Sequence, residues 1–102
     1  VQPQWLEEHA NEVQIVDVRE PAEFNGSLGH ELGAILMPLG TLTARAGELS
    51  KDRPIVTVCR SGARSAQATV LLGKAGFTQV ANLAGWMLRW RAQRFPVEGG
   101  ND

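Results

Sequence analysis

One cysteine, two histidines and no tyrosine stand among the 102 residues, and each scarcity removes a class of reading. A single cysteine closes no internal disulfide and builds no thiolate metal cluster, so neither a disulfide scaffold nor a structural zinc module is expected, and a reducing, cytoplasmic setting fits best. No apolar run approaches the roughly 18 residues of a membrane span, and no charged segment backed by an apolar stretch marks a signal peptide. Charge of either sign is nearly balanced. Ten Lys and Arg against eleven Asp and Glu leave a net charge of -1, so no overall field draws the chain to nucleic acid or to an anionic membrane, and neither is an expected partner. Arg89, Arg91 and Arg94 are the nearest basic group, near the end of an expected helix, where cations complement the macrodipole and solvate an outer face. The chain opens on Val1, not Met, as a processed form or a module of a longer polypeptide does.

What is present is a globular composition, 43% hydrophobic and 21% charged, at a length that buries one core. One domain over residues 1–98 is expected, with 99–102 as a flexible tail. Short β-like runs alternate with helix-like segments, the pattern of an α/β domain with a largely parallel sheet. Strands are expected at Val13 to Val18, Ala34 to Leu39, Ile55 to Val58 and Gln79 to Leu83, with a brief one at Val1-Gln2. Pro3 and Pro21 fit the first turns of helices. Leu42, Ala46 and Leu49 fall on one face of a helix that Gly47 weakens, and Ala68, Leu71, Leu72 and Ala75 follow helical spacing up to a stop at Gly76. A last helix is expected from about Trp86 to Gln93. The run Ile55-Val56-Thr57-Val58 is too uniformly apolar for a solvated hairpin arm and reads as a central strand.

That strand ends at Cys59, and the next residues are Arg60-Ser61-Gly62-Ala63-Arg64-Ser65, leading into the amphipathic helix. Ligands of open α/β sheets collect outside the carboxyl ends of the strands, where a helix N-terminus offers unpaired N–H groups. The thiolate is the nucleophilic form of cysteine, and helix N-termini and neighbouring cations favour it. Arg60 and Arg64 supply charge, and Gly62 permits a backbone turn in which successive N–H groups converge on an anion. An isolated cysteine at a strand end is commonly a core residue. Two arginines, a glycine and two serines crowded into the next six positions argue instead for a functional one.

The loop resembles the active-site loop of the rhodanese family, with its pattern Cys-x-x-Gly-x-Arg-Ser. Val16-Asp17-Val18-Arg19-Glu20-Pro21-Ala22-Glu23-Phe24 is similar to that family's early strand and turn, and Gly29-His30-Glu31-Leu32-Gly33-Ala34 followed by Met37-Pro38-Leu39 to its second signature. Gly73-Lys74-Ala75-Gly76-Phe77 and Asn82-Leu83-Ala84-Gly85 with Trp90 extend the likeness over nearly the whole chain. The resemblance implies a three-layer α/β domain with a five-stranded, mainly parallel sheet flanked by helices. It also implies a thiosulfate sulfurtransferase that moves sulfane sulfur through a persulfide on Cys59, from a small-molecule donor to a thiol or cyanide. The N–H groups of Arg60, Ser61, Gly62, Ala63, Arg64 and Ser65 would hold the persulfide, with no cofactor and no metal. Arg60 and Arg64 would attract the dianionic donor, unless Arg64 is committed to bracing the loop. Asp17 and Arg19, at the end of a neighbouring strand, could brace it too, although a capping or turn role for Asp17 is equally open. His30 is expected to be structural.

Two departures from the family pattern bear on local geometry: Gly85-Trp86 stands where glycine is usually repeated, and Leu36 where a polar residue is common. Trp86 could line the pocket mouth, although Trp86 and Trp90, four apart, also suit a core pair. Three alternatives stay open. A phosphatase or arsenate reductase loop would resemble Cys-x-x-x-x-x-Arg, whereas the sixth position after Cys59 is Ser65. A non-catalytic interaction module would be expected to lack the nucleophile or its loop. The chain could also be one module of a larger polypeptide that metabolises sulfide or persulfide, or work with a partner protein in such metabolism.

Overall fold

Side chains alternate across a strand, and in this chain the alternation sorts the core into two layers. The computed structural model describes residues 1–100; residues 101 and 102, half of the expected tail, lie outside the described residues. Strand β1 (Gln14–Asp17) and strand β4 (Ile55–Val58) run parallel, Gln14 opposite Ile55 and Asp17 opposite Val58. Val16, Val18, Ile55 and Cys59 point to one face, against helix α3 (Leu42–Arg45) and helix α4 (Ala63–Lys74). Ile15, Val56 and Val58 point to the other, against helix α1 (Pro3–His9) and helix α5 (Trp86–Ala92). Both strands are buried at every position, which is why their sequences lack a polar face.

Strands β3 (Ile35–Leu36) and β5 (Val80–Asn82) complete a parallel sheet in the order β3-β1-β4-β5. The expected fold class holds, with the sheet counted at four strands where the resemblance implied five. The fifth position is held by one residue: the Val1 amino group donates to Asn82 O at 2.6 Å, and Ala84 N–H donates to Val1 O at 2.7 Å. That is the bond pattern of a parallel bridge, cut short because α1 begins at Pro3. The strand expected over 34–39 shrinks to two residues because Pro38 has no N–H to extend the ladder. The helix expected through Leu49 turns tighter at Ala46–Glu48, where Gly47 weakens it. A second, antiparallel pair joins β2 (His30–Glu31) to β6 (Val97–Glu98). A short helix α2 (Pro21–Phe24) opens on a reciprocal capping box between Glu20 and Glu23. No helix among the described residues is long and apolar enough to cross a membrane.

For the site, the register matters most. Val18 N–H donates to Val58 O at 3.0 Å, so the carboxyl ends of β1 and β4 lie side by side and bring Val18 level with Cys59, with Arg19 one position beyond.

Candidate active site

Cys59 follows the last residue of β4, and its side chain is 1% exposed, within the same apolar cluster as Val16, Leu72 and Phe77. Two polar groups reach it there. The N–H of Gly62 donates to Sγ at 2.8 Å, and Ser65 Oγ lies 3.3 Å from the sulfur while its hydroxyl reaches Gly62 O at 3.1 Å. With a thiol, the sulfur donates to the serine oxygen; with an anionic sulfur, a hydroxyl rotation turns the same contact into a second donor. This geometry follows from Gly62, whose φ of 102° lies in a region that side chains rarely adopt. The turn folds the loop back over the sulfur and starts α4 one residue later. Among the described residues, Sγ accepts a hydrogen bond from Gly62 N–H and donates one to Ser65 Oγ.

The loop is braced from a distance. Asp17 and Arg19, 0% and 1% exposed, form a forked ion pair, with Arg19 Nη2 2.6 Å from Asp17 Oδ2 and Nε 2.9 Å from Oδ1. Arg19 also donates to Gly29 O at 2.7 Å and to Glu23 O at 3.3 Å, pinning the segment that contains α2. Glu23 in turn grips Arg64 through both oxygens, Oε2 at 2.7 Å from Nη2. That pairing with Arg64 holds the Glu23 carboxyl at about 2, well below its ordinary 4.5. Arg64 is thus held by Glu23, a partner 41 positions away in sequence that no local pattern announces.

Arg60 is exposed and, among the described residues, forms no ion pair. It lines a cavity of about 260 Å³ together with Arg19, Ala22, Glu23, Gly26, Ser27 and Leu28. Ser61 is an exposed loop position, and Ala63 is the exposed first residue of α4. On the other side of the turn lies Trp86. A Cβ added to Gly62 would fall 2.1 Å from two indole carbons, so the ring is pressed directly on the glycine that holds the sulfur. The Trp86 backbone has φ 55°, and its Nε1 is buried with no partner among the described residues. Trp90, by contrast, sits in the opposite layer, 3% exposed, donating to Pro96 O at 2.9 Å. The two tryptophans are thus not a core pair. Sequence reasoning had one usable signal for this, a bulky residue directly after Gly85.

His30 stacks on Phe24 at 3.6 Å between ring centroids, and its Nδ1 lies 2.9 Å from Phe24 O, a structural placement. Beside it, Glu31 is 1% exposed with neither carboxylate oxygen partnered among the described residues. Burial, and then the neighbouring Asp17, push its carboxyl up to about 8.

The family model described as rhodanese-like domain matches residues 2–93. Among curated relatives, an uncharacterized protein of Bacillus subtilis is 43% identical over 77 residues, covering 76% of this chain and 60% of that protein. A sulfurtransferase of Allochromatium vinosum is 38% identical over 86 residues, covering 84% of this chain and 78% of the relative. A thiosulfate sulfurtransferase of Shewanella oneidensis is 38% identical over 81 residues, covering 79% and 78%. Among solved structures, a rhodanese-related protein of Thermoplasma volcanium superposes with a TM-score of 0.88 at 26% identity, covering 96% of this chain and 95% of its own.

Proposed function

The chain belongs to the rhodanese-like family, and from that premise we propose that it is a sulfurtransferase carrying sulfane sulfur as a persulfide on Cys59. The observation that carries the reading is the Gly62 N–H at 2.8 Å from Sγ, with Ser65 Oγ behind it at 3.3 Å. Donors fixed beside a sulfur stabilise negative charge there without reorganising during the reaction.

In the first step the Cys59 thiolate attacks the outer sulfur of thiosulfate. A sulfur–sulfur bond forms on Cys59, the donor's own sulfur–sulfur bond breaks, and sulfite leaves with the electron pair. In the second, a thiolate or cyanide attacks the terminal sulfur of the persulfide, and Cys59 departs as thiolate, ready for another round. Thiosulfate is a dianion, and Arg60 on the rim of the 260 Å³ cavity is the cation placed to attract it. Arg64, held by Glu23, keeps the helix start in register, and Asp17 holds Arg19 to the same end. Residues 1–98 form the domain in this reading, a boundary that the pairing of β6 with β2 supports. The match spans 60% of the length of the Bacillus relative and 78% of the Allochromatium one. A cytoplasmic location goes with the reading, since a lone thiol that must be regenerated suits a reducing compartment.

The test is the intact mass of the protein after incubation with thiosulfate. A gain of one sulfur atom, reversed by cyanide and absent from Cys59→Ser, is expected. A wild type that gains no sulfur from thiosulfate, polysulfide or glutathione persulfide would end the proposal.

A further inference from the structure

We propose that Trp86 selects what reaches Cys59, as a hinged roof over the sulfur-binding turn; the identity of the substrates rests on the sulfurtransferase reading, the roof itself does not. Cys59 is 1% exposed, so no reagent meets its sulfur until some neighbour gives way. Most of those neighbours are pinned. The Cys59 carbonyl accepts Met87 N–H at 3.0 Å, Val58 O accepts Val18 N–H, and Gly62 N–H is spent on the sulfur itself.

The indole is the neighbour whose side chain no hydrogen bond holds: Trp86 is half-buried, and its Nε1 has no partner among the described residues. Its backbone lies in the left-handed region, at φ 55°, directly after Gly85 at φ 74°. A bulky residue holds such a conformation only where its surroundings impose it. Here the imposed conformation lays the ring on Gly62, at separations that leave no room for a single methyl group.

The ring also brings a donor. Nε1 is sequestered there without an acceptor, a costly arrangement for an N–H. An anionic group seated beside Gly62 would supply the missing acceptor. The site therefore favours small anionic sulfur compounds and resists bulky thiols and disulfides until the ring swings away.

Because Cys59 is the only cysteine, its alkylation followed by intact mass reads this sulfur alone, whether or not the protein transfers sulfur. The probes are iodoacetamide, anionic iodoacetate and the bulky N-pyrenylmaleimide. Trp86→Gly, which suits the left-handed backbone, is expected to react roughly tenfold faster than wild type with the maleimide and about twofold faster with iodoacetamide. Trp86→Asn, also tolerant of that backbone, serves as a second opening variant. Trp86→Phe keeps a roof and loses the N–H, so its rate with iodoacetate is expected to fall several-fold relative to its rate with iodoacetamide. Opening variants that retain native circular dichroism yet react at wild-type rates with all three reagents would overturn the roof. An unchanged iodoacetate preference in Trp86→Phe would overturn the donor role. Absence of sulfur transfer in every variant and in wild type would instead strike the sulfurtransferase reading.

Discussion

At Gly62 the backbone sits at φ 102°, the N–H touches the Cys59 sulfur, and the missing side chain is the space that the Trp86 ring occupies. Gly62→Ala meets all three at once. It is expected to lower stability by about 1–3 kcal/mol, from backbone strain before any clash is counted, and to displace the ring; an unchanged denaturation midpoint would contradict this. The glycine was legible because the motif is local: Cys59 to Ser65 fit within seven consecutive positions. Trp86 was legible only as an anomaly, since nothing in a sequence places position 86 on position 62. Glu31 illustrates a different kind of illegibility, a carboxyl made unusual entirely by the layers that bury it. Its proton is retained up to about pH 8 in the folded protein but released near 4.5 in the unfolded chain. Raising the pH between those values therefore favours unfolding, at up to about 1.4 kcal/mol per pH unit. Thermal melts of wild type are expected to fall steadily from pH 5 to pH 8, and those of Glu31→Gln to stay flatter across the same range.

Between elements, the clamp from α2 to α4 governs how firmly the turn is held. Glu23 titrates below its unfolded value, so the stability it contributes is present above about pH 4.5 and disappears as the pH falls through about 2. Glu23→Gln is expected to cost about 0.5–1 kcal/mol at neutral pH, a modest figure for a pair one-third exposed to water, and to flatten the acid limb of a pH–stability profile. Identical acid limbs in variant and wild type would remove the clamp. The uniformly apolar β4 and the periodic α4 were predicted with nearly correct ends, and they are the two that flank Cys59 and carry Ser65. The pair β2 and β6 was not, because two residues per strand establish no period and their partnership spans more than sixty positions. For the same reason the Glu23–Arg64 pair could not be read from either residue's neighbours.

Across the whole molecule, a net charge of -1 means that no long-range field steers an anion inward. Under the proposed function capture would then depend on the local charge at Arg60, so Arg60→Ala is expected to raise KM for thiosulfate about tenfold while leaving a neutral persulfide donor nearly unaffected. Equal losses with both donors would remove Arg60 from substrate capture. The layered architecture was legible as a whole because short β-like runs alternate with helix-like segments along the chain; the fifth strand, reduced to Val1, shows how one proline can end an element before it begins. The depth of the sulfur has a last implication, for time. An atom this well sheltered seldom meets peroxide or a passing stranger thiol, so under the proposed function cargo loaded onto it would keep, as in a vessel that holds its charge until the intended recipient arrives.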